Sequence, residues 1–312
     1  MIVTVTPNPV LDLTFTVPDL VLNEVLRATH TRRDWGGKGF NVSRALLAMG
    51  APSAAMGFVG GATGEQLARG LAEMGIETDL VHIRGETRTN VVITTPAGAP
   101  FVKANERGPT VLDDEAQALM RHVRERVQPG DLWALCGSLP PGLPVDFYAT
   151  LTEVLHGAGA LVCLDTSGEP LRQAIRACPD LIKPNAEEAT AVLGCPVRGP
   201  IEAARAVDRF LALGIQRVAL SLGADGLLLA SKCNRVWAYP PAIEARNAVG
   251  AGDASVAGLL WGLAHALSLS DMARWAVAAG AAAAAGEGVS VADRAQVEAF
   301  VEQVTLRLWP GR

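Results

Sequence analysis

Apolar and polar residues alternate along the chain in a pattern that predicts strands and helices following one another. Residues 2–6 form a short apolar run typical of a buried strand, and Pro7-Asn8-Pro9 ends it. The strands predicted on this basis cover residues 2–6, 53–59, 80–83, 131–136, 160–164, 180–182, 216–221, 226–230 and 235–239. The predicted helices cover residues 41–49, 63–74, 113–127, 145–157, 169–177, 186–193, 201–213, 252–267, 271–285 and 292–308.

Two groups of partly alternating residues fall outside this order. One contains segments 12–17 and 25–30, and the other is a hairpin of 89–95 and 101–103. The strand–helix alternation predicts a mostly parallel sheet with helices on both faces and ligands at the carboxyl ends of its strands. The two extra groups predict a small β-sheet lid. Because an exposed lid sheet has open edges, we expect a second copy of the chain to cover them in a homodimer.

Composition narrows the possible classes of protein. The chain has 312 residues, of which 49% are apolar, so it can bury a sizeable core. Its formal net charge of −5 argues against a general nucleic-acid binder. The five cysteines form no C-x-x-C pair, which suits buried thiols in a reducing compartment. No apolar run is long enough to span a bilayer and no signal peptide is visible, so a cytoplasmic protein without a membrane partner is expected.

The stretch from Asn247 to Asp253 carries the clearest chemical signal. Gly250 and Gly252 lie just before Asp253, which opens an apolar, helix-like run. The first amides of a helix form a site for phosphate. A carboxylate repels phosphate, so Asp253 belongs there if it removes a proton from a hydroxyl that attacks phosphorus. The alternative is that Asp253 caps the helix, and the residues alone leave both interpretations open.

Two further stretches have candidate ligand groups before a helix. Gly36-Gly37-Lys38-Gly39 offers amides and an ammonium for an anion, or it is a tight loop with a solvated lysine. In Lys183-Pro184-Asn185-Ala186-Glu187-Glu188, Asn185 and Glu188 share one helix face. Their oxygens suit Mg²⁺ through bound waters, or they only cap the helix and occupy its first turn.

Loops at strand ends and arginines in the lid complete the candidates. Residues 137–142 and 221–226 are glycine-containing loops that either approach a ligand or are ordinary turns. Arg27 and Arg88 lie in the two lid segments, as surface charges or as partners of an anion under a closed lid. The chain has no P-loop motif and completes no G-x-G-x-x-G pattern, which argues against a P-loop enzyme or a Rossmann dinucleotide site.

Taken together and in order, these motifs resemble those of the ribokinase-like (PfkB) carbohydrate kinase family over nearly the whole chain. The similarity is greatest to its phosphosugar branch, which contains 1-phosphofructokinases, tagatose-6-phosphate kinases and the minor 6-phosphofructokinase. The motifs are Gly36-Gly37-Lys38-Gly39-Phe40-Asn41-Val42-Ser43-Arg44, Gly85-Glu86-Thr87-Arg88, Gly137-Ser138-Leu139-Pro140-Pro141-Gly142, Asp165-Thr166-Ser167-Gly168-Glu169, Lys183-Pro184-Asn185-x-x-Glu188 and Asn247-x-Val249-Gly250-Ala251-Gly252-Asp253.

The resemblance implies a fold and an activity. The fold is one ribokinase-like domain over residues 1–312, a three-layer α/β/α sandwich with a β lid from about 12–33 and 88–106. The activity is ATP- and Mg²⁺-dependent phosphorylation of a ketohexose monophosphate to a 1,6-bisphosphate. Fructose 1-phosphate is the first choice, and tagatose 6-phosphate and fructose 6-phosphate are alternatives. More distant alternatives are a kinase of an unphosphorylated sugar or nucleoside and a non-catalytic sugar-phosphate-binding regulator.

The resemblance also implies roles for individual residues. Asp253 is the general base, and the backbone at Gly250, Ala251 and Gly252 forms the anion hole. The sugar-phosphate contacts are Asp12, Arg27, Gly37, Lys38, Asn41, Arg88 and Ser138. The ATP contacts are Lys183, Asn185, Ser221, Gly223, Gly226, Gly286 and Gly288. Glu188 holds Mg²⁺ through water, with Asn185 as a weaker candidate.

Overall fold

The structure is a computed structural model that describes residues 1–245, 249–286 and 291–308. Its strands are β1 (Ile2–Thr6), β2 (Val10–Thr16), β3 (His30–Gly36), β4 (Ser53–Val59), β5 (Glu77–His82), β6 (Arg88–Thr94), β7 (Phe101–Asn105), β8 (Leu132–Cys136), β9 (Leu161–Asp165), β10 (Leu181–Ile182), β11 (Arg217–Ser221), β12 (Leu227–Ser231), β13 (Arg235–Tyr239) and β14 (Thr305–Leu308). Its helices are α1 (Lys38–Ala48), α2 (Gly61–Glu73), α3 (Asp113–Arg126), α4 (Phe147–Gly157), α5 (Gly168–Ala174), α6 (Ala186–Leu193), α7 (Pro200–Ala212), α8 (Ala251–Ala264), α9 (Leu269–Ala285) and α10 (Arg294–Val301).

The main sheet runs in the order β14-β13-β12-β11-β10-β9-β8-β1-β4-β5. Seven neighbouring strands of this sheet pair in parallel, in the spatial order β5-β4-β1-β8-β9-β10-β11. The remaining strands, β12, β13 and β14, continue the sheet in antiparallel pairs. One core lies against α3, α4 and α7, and a second lies against α1, α8 and α9 on the other face. The predicted three-layer α/β/α architecture with a mostly parallel sheet is therefore confirmed.

Helix α8 is positioned by unusually close packing against α9. Nearly all of α8 is buried, which matches its apolar character on every side. A Cβ at Gly258 would overlap the carbonyl oxygen of Trp275, so only glycine permits this separation of the two helices. The alanine-rich sequence of α9 provides the matching narrow surface. This contact fixes the amino end of α8 at the edge of the sheet.

The lid is a separate four-stranded sheet in the order β3-β2-β6-β7. Strand β2 pairs antiparallel with β3 and parallel with β6, and β6 and β7 form the predicted hairpin. The prediction of a strand over 25–30 was wrong, because the partner of β2 is His30–Gly36. Val25, which suggested alternation, is 82% exposed and lies outside the strands. Long-range pairing with β2 selected the later segment.

The predicted helix over 292–308 was also wrong in its second half. It divides into α10 and the edge strand β14, which pairs antiparallel with β13. The helix predicted from Asn41 begins at Lys38, and the helix predicted from Thr63 begins at Gly61. The amide of Thr63 donates to Glu86 Oε1 at 2.6 Å, so a side chain from a distant loop supports that helix start. Local capping patterns could not show this partner.

Candidate functional site

The candidate site lies where the carboxyl ends of parallel strands meet the amino ends of two helices. Asp165 is the last residue of β9, Lys183 directly follows β10, and Ser221 ends β11. Helices α1 and α8 begin at the same edge and pack against each other. In an open α/β sheet this edge is the usual position of a ligand. The topology thus brings together the motifs that the sequence spreads over more than 200 residues.

The amino end of α8 has the form of an anion site. Gly250 precedes the helix with φ of 85°, a left-handed conformation that favours glycine. The first amide with an intrahelical acceptor is that of Ala254, which donates to the Gly250 carbonyl at 2.9 Å. The amides of Ala251, Gly252 and Asp253 therefore come before the hydrogen-bonded ladder and can donate to a ligand.

Asp253 is the third residue of α8, so the alternative that it is the N-cap is wrong: Gly250 occupies that position. Its side chain turns inward and is only 7% exposed at the residue level. Asn41 Nδ2, in the first turn of α1, donates to Asp253 Oδ2 at 2.8 Å. The hydrogen bond joins the two helix starts.

The electrostatic surroundings of Asp253 shift its pKa. Burial, together with the negative charge of Asp165, raises its pKa from 3.8 to about 6. Lys38, the Asn41 hydrogen bond and Lys183 act in the opposite direction and keep the pKa from rising further. A carboxylate with this pKa is ionised at neutral pH and is a stronger base than an exposed aspartate.

The turn before α1 is constrained by glycines on both sides of Lys38. Gly37 has φ of 128°, and a Cβ there would lie 2.7 Å from Thr6 Cγ2. A Cβ at Gly39 would overlap Thr6 Oγ1, so the turn rests directly on the end of β1. This close approach explains why the sequence has glycine at both positions.

The side chain of Lys38 is 39% exposed, but its ammonium group is paired with a buried carboxylate. Its Nζ lies 3.1 Å from Asp165 Oδ2. Burial acts to lower the pKa of Lys38, but Asp165, Asp253 and Glu188 outweigh it and leave that pKa raised. Asp165 itself is fully enclosed, and although burial acts to raise its pKa, the two ammonium groups of Lys183 and Lys38 hold it below its usual value.

Lys183 approaches the same point from the opposite side. Its Nζ lies 3.3 Å from Asp165 Oδ1, and the residue is 4% exposed. A Cβ on Gly252 would lie 3.7 Å from this ammonium group. Lys183 therefore places a positive charge beside the first amides of α8.

The two predicted nucleotide loops lie next to each other. Asn185 forms a parallel bridge with Ser221, and the Ser221 amide donates to the Pro184 carbonyl at 3.0 Å. Gly223 begins a short 3-10 turn and Gly226 follows it, with φ values of 60° and 92°. Gly286 directly follows α9, whereas Gly288 and Asn247 lie outside the described residues.

The capping interpretation of Asn185 and Glu188 is confirmed. Asn185 Oδ1 accepts from the Glu188 amide at 2.8 Å, and Glu188 Oε2 accepts from the Asn185 amide at 2.9 Å. These bonds leave Glu188 Oε1 for another donor. Within residues 1–245, 249–286 and 291–308, no group of three or more His, Cys, Asp or Glu side chains has an arrangement suited to a metal ion.

The lid contributes a second polar cluster, centred on Asn8. Arg88 donates to the carbonyl oxygens of Asn8 at 3.2 Å and Glu106 at 3.0 Å. Asn8 Nδ2 donates to Ser138 Oγ at 3.2 Å, which links the lid to the loop after β8. Asp12 Oδ1 accepts from Asn90 Nδ2 at 2.9 Å. Three predicted sugar contacts, Asp12, Arg88 and Ser138, thus belong to one connected region.

Arg27 is not brought into this cluster. It is exposed in the segment between β2 and β3, and in the described part of the chain no hydrogen bond or ion pair joins it to the residues above. Residue-by-residue inference did not assign roles to Asn8, Asn90 and Asp165, although all three are buried. The sequence feature that could have indicated Asp165 is its position at the end of an apolar strand.

No helix among the described residues has the length and apolar character needed to cross a membrane.

Comparison with known proteins identifies the family. The profile of the pfkB family carbohydrate kinases matches residues 6–295. The chain is 36% identical over 304 residues to 1-phosphofructokinase of Bacillus subtilis (strain 168), covering 97% of each chain. It is 37% identical over 311 residues to 1-phosphofructokinase of Rhodobacter capsulatus, covering 99% of this chain and 98% of that one. The crystal structure of phosphofructokinase-2 from Escherichia coli in complex with potassium superimposes with a TM-score of 0.93 at 30% identity, over 96% of this chain and 98% of that one. The chain, with its buried aspartate at the head of α8 and two lysines paired with Asp165, belongs to the pfkB family of carbohydrate kinases.

Proposed function

We propose that this kinase transfers a phosphoryl group from ATP to fructose 1-phosphate and forms fructose 1,6-bisphosphate. The observation that carries the proposal is the buried Asp253, with its pKa near 6, at the anion-binding end of α8. The relatives named 1-phosphofructokinase, which align over almost the full chain, support the choice of sugar.

The proposed reaction needs little covalent chemistry from the protein. Asp253 takes the proton of the acceptor hydroxyl while the oxygen of that hydroxyl forms a bond to the γ-phosphorus of ATP. The bond from that phosphorus to the β,γ-bridging oxygen breaks, and ADP leaves with the electron pair. The amides of Gly250, Ala251 and Gly252, together with the amide of Asp253 and the ammonium of Lys183, neutralise charge on the migrating group. Asp253 later releases its proton to solvent.

The sugar phosphate lies, in this proposal, between the turn before α1 and the lid. Gly37, Lys38 and Asn41 contact it from one side, and Asp12, Arg88 and Ser138 from the other. Lys38 and Arg88 supply the positive charge that a phosphorylated sugar needs and an unphosphorylated sugar does not. Their presence favours a phosphosugar over a free sugar or nucleoside, and the intact base argues against a non-catalytic regulator.

Mg²⁺ and the nucleotide occupy the neighbouring loops in this proposal. Lys183, Asn185, Ser221, Gly223, Gly226 and Gly286 approach ATP. The oxygen chemistry at the head of α6 fits Mg²⁺, since Glu188 Oε1 remains free to accept from a metal-bound water. When bound, the ion would neutralise charge on the nucleotide phosphates.

The lid is also the proposed surface of a homodimer. Strand β7 lies at one edge of the lid, and every one of its residues is exposed. Its Phe101 and Val102 are 60% and 45% exposed. An open edge with apolar side chains is suited to pairing with another copy of the chain.

An ADP-release assay with fructose 1-phosphate, fructose 6-phosphate, tagatose 6-phosphate and ribose, compared side by side, tests the substrate. We expect the highest kcat/KM with fructose 1-phosphate. A higher value with either 6-phosphate would move the assignment within the phosphosugar kinases, and preference for ribose would overturn it. The absence of sugar-dependent ADP release with all four compounds would favour a non-catalytic regulator.

A further inference from the structure

Asp165 is a buried carboxylate shared by two lysines. Its Oδ2 lies 3.1 Å from Lys38 Nζ and its Oδ1 lies 3.3 Å from Lys183 Nζ. The Asp165 side chain is 0% exposed, and its backbone carbonyl accepts from the Gly137 amide at 2.9 Å. The carboxylate therefore has a fixed position, and each of its oxygens has one ammonium partner.

The two lysines come from different elements, which the proposed function assigns to different ligands. Lys38 is the first residue of α1, on the same helix as Asn41. Lys183 follows β10, two residues before the Asn185–Ser221 bridge, and its ammonium lies beside Gly252. Asp165 thus touches a cation on the proposed sugar side and a cation on the proposed nucleotide side.

Sharing one carboxylate links the two cations energetically. A buried carboxylate is stable only when its charge is compensated. When Lys38 turns toward an anionic ligand or is removed, the full charge of Asp165 acts on Lys183 alone. Lys183 is then held more tightly and is less available to the phosphates of a nucleotide, because the attraction in this enclosed site is weakly screened.

We propose that Asp165 is a positioning residue that couples the sugar side of the site to the nucleotide side by sharing its charge between Lys38 and Lys183. The proposal rests on the proposed function for the identity of the two sides. It predicts that a change at Lys38 alters nucleotide affinity and that this effect requires the Asp165 carboxylate.

The test measures the Kd of a non-hydrolysable ATP analogue with Mg²⁺ by calorimetry, which needs neither turnover nor knowledge of the sugar. We expect Lys38→Met to weaken analogue binding at least about fivefold, the lower range of ordinary coupling between sites. Arg88→Met is the matched control, since it removes the same charge from the sugar side without contact to Asp165 and should leave the Kd within about twofold of the native value.

Asp165→Asn supplies the second arm. In that background the effect of Lys38→Met should shrink to that of Arg88→Met. Asp180→Asn is the control for Asp165→Asn. Asp180 is also buried, but its hydrogen-bond partners are His156, Gln216 and the Val162 amide, none of which belongs to the site. In Asp180→Asn the effect of Lys38→Met should persist in full.

Three outcomes would overturn the coupling. They are an unchanged analogue Kd in Lys38→Met, an equal loss in Arg88→Met, and persistence of the Lys38 effect in Asp165→Asn. If Asp165→Asn does not fold, the comparison of Lys38→Met with Arg88→Met still decides. Failure of the sugar panel with a positive coupling result would reject the proposed substrate and keep the coupling.

Discussion

Asn41 and Asp253 are 212 positions apart, and the 2.8 Å hydrogen bond from Asn41 Nδ2 to Asp253 Oδ2 joins the first turns of α1 and α8. The bond orients the carboxylate that lies at the anion-binding end of α8. It also favours the ionised form of Asp253, which counteracts the effect of burial. The proposed base is therefore held by the same helix that presents Lys38.

Replacing the base should remove turnover and keep nucleotide binding. We expect Asp253→Asn to lower kcat by at least about a hundredfold, because the amide cannot accept the hydroxyl proton. Steady-state ADP release gives kcat, and calorimetry with an ATP analogue gives the Kd. Near-native kcat in this variant would reject Asp253 as the base.

Removing the hydrogen bond should change the pH dependence of catalysis. The native kcat/KM should fall below pH of about 6, as Asp253 becomes protonated. Asn41→Ala removes a group that lowers the pKa of Asp253, so the acid limb should move to higher pH. Asn234→Ala, in the turn between β12 and β13, is the control and should keep the native profile. An unshifted limb in Asn41→Ala would show that the bond does not tune the base.

Asp253→Asn should also stabilise the folded protein at pH 8. The pKa of Asp253 is raised by folding, from 3.8 to about 6, so its contribution to stability is present below pH 3.8 and is lost as the pH rises through about 6. Asp253→Asn does not ionise and should gain roughly 1–3 kcal/mol over the native protein at pH 8.

Denaturant unfolding of both proteins at pH 8 and near pH 4 measures this difference. The gain should be present at pH 8 and small near pH 4, where the Asp253 carboxyl is protonated in the folded protein and partly protonated in the unfolded chain. A gain that is equal at the two pH values would point to packing as its cause.

The turn before α1 should not tolerate a side chain at Gly39. A Cβ there would overlap Thr6 Oγ1, so we expect Gly39→Ala to lower the unfolding free energy by about 1–3 kcal/mol through overpacking. Gly157→Ala, at the end of α4, has open space around the new Cβ and serves as the control. Chemical denaturation of the two variants decides the point, and equal stabilities would contradict the close packing of this turn.

Local sequence indicated most of the elements and the candidate chemical groups. Short apolar runs specified the parallel strands, since a strand buried on both faces leaves few polar positions. Glycine before Lys38 and before Asp253 indicated helix starts with free amides. In a ligand-binding turn the ligand approaches the backbone closely, and a side chain larger than that of glycine would obstruct this approach. The pairing of β14 and the true position of β3 were missed, because strand pairing depends on distant segments and local alternation does not report it.

Tertiary structure decided which polar groups meet. Residue type left Asp253 suited to capping or to catalysis, and its place as the third residue of α8, facing Asn41, excluded the N-cap position. Asp165 gained a role when Lys38 and Lys183 met on its two oxygens. Charge interactions depend on distance and burial, and both arise when the parallel sheet brings strand ends from remote parts of the chain to one edge.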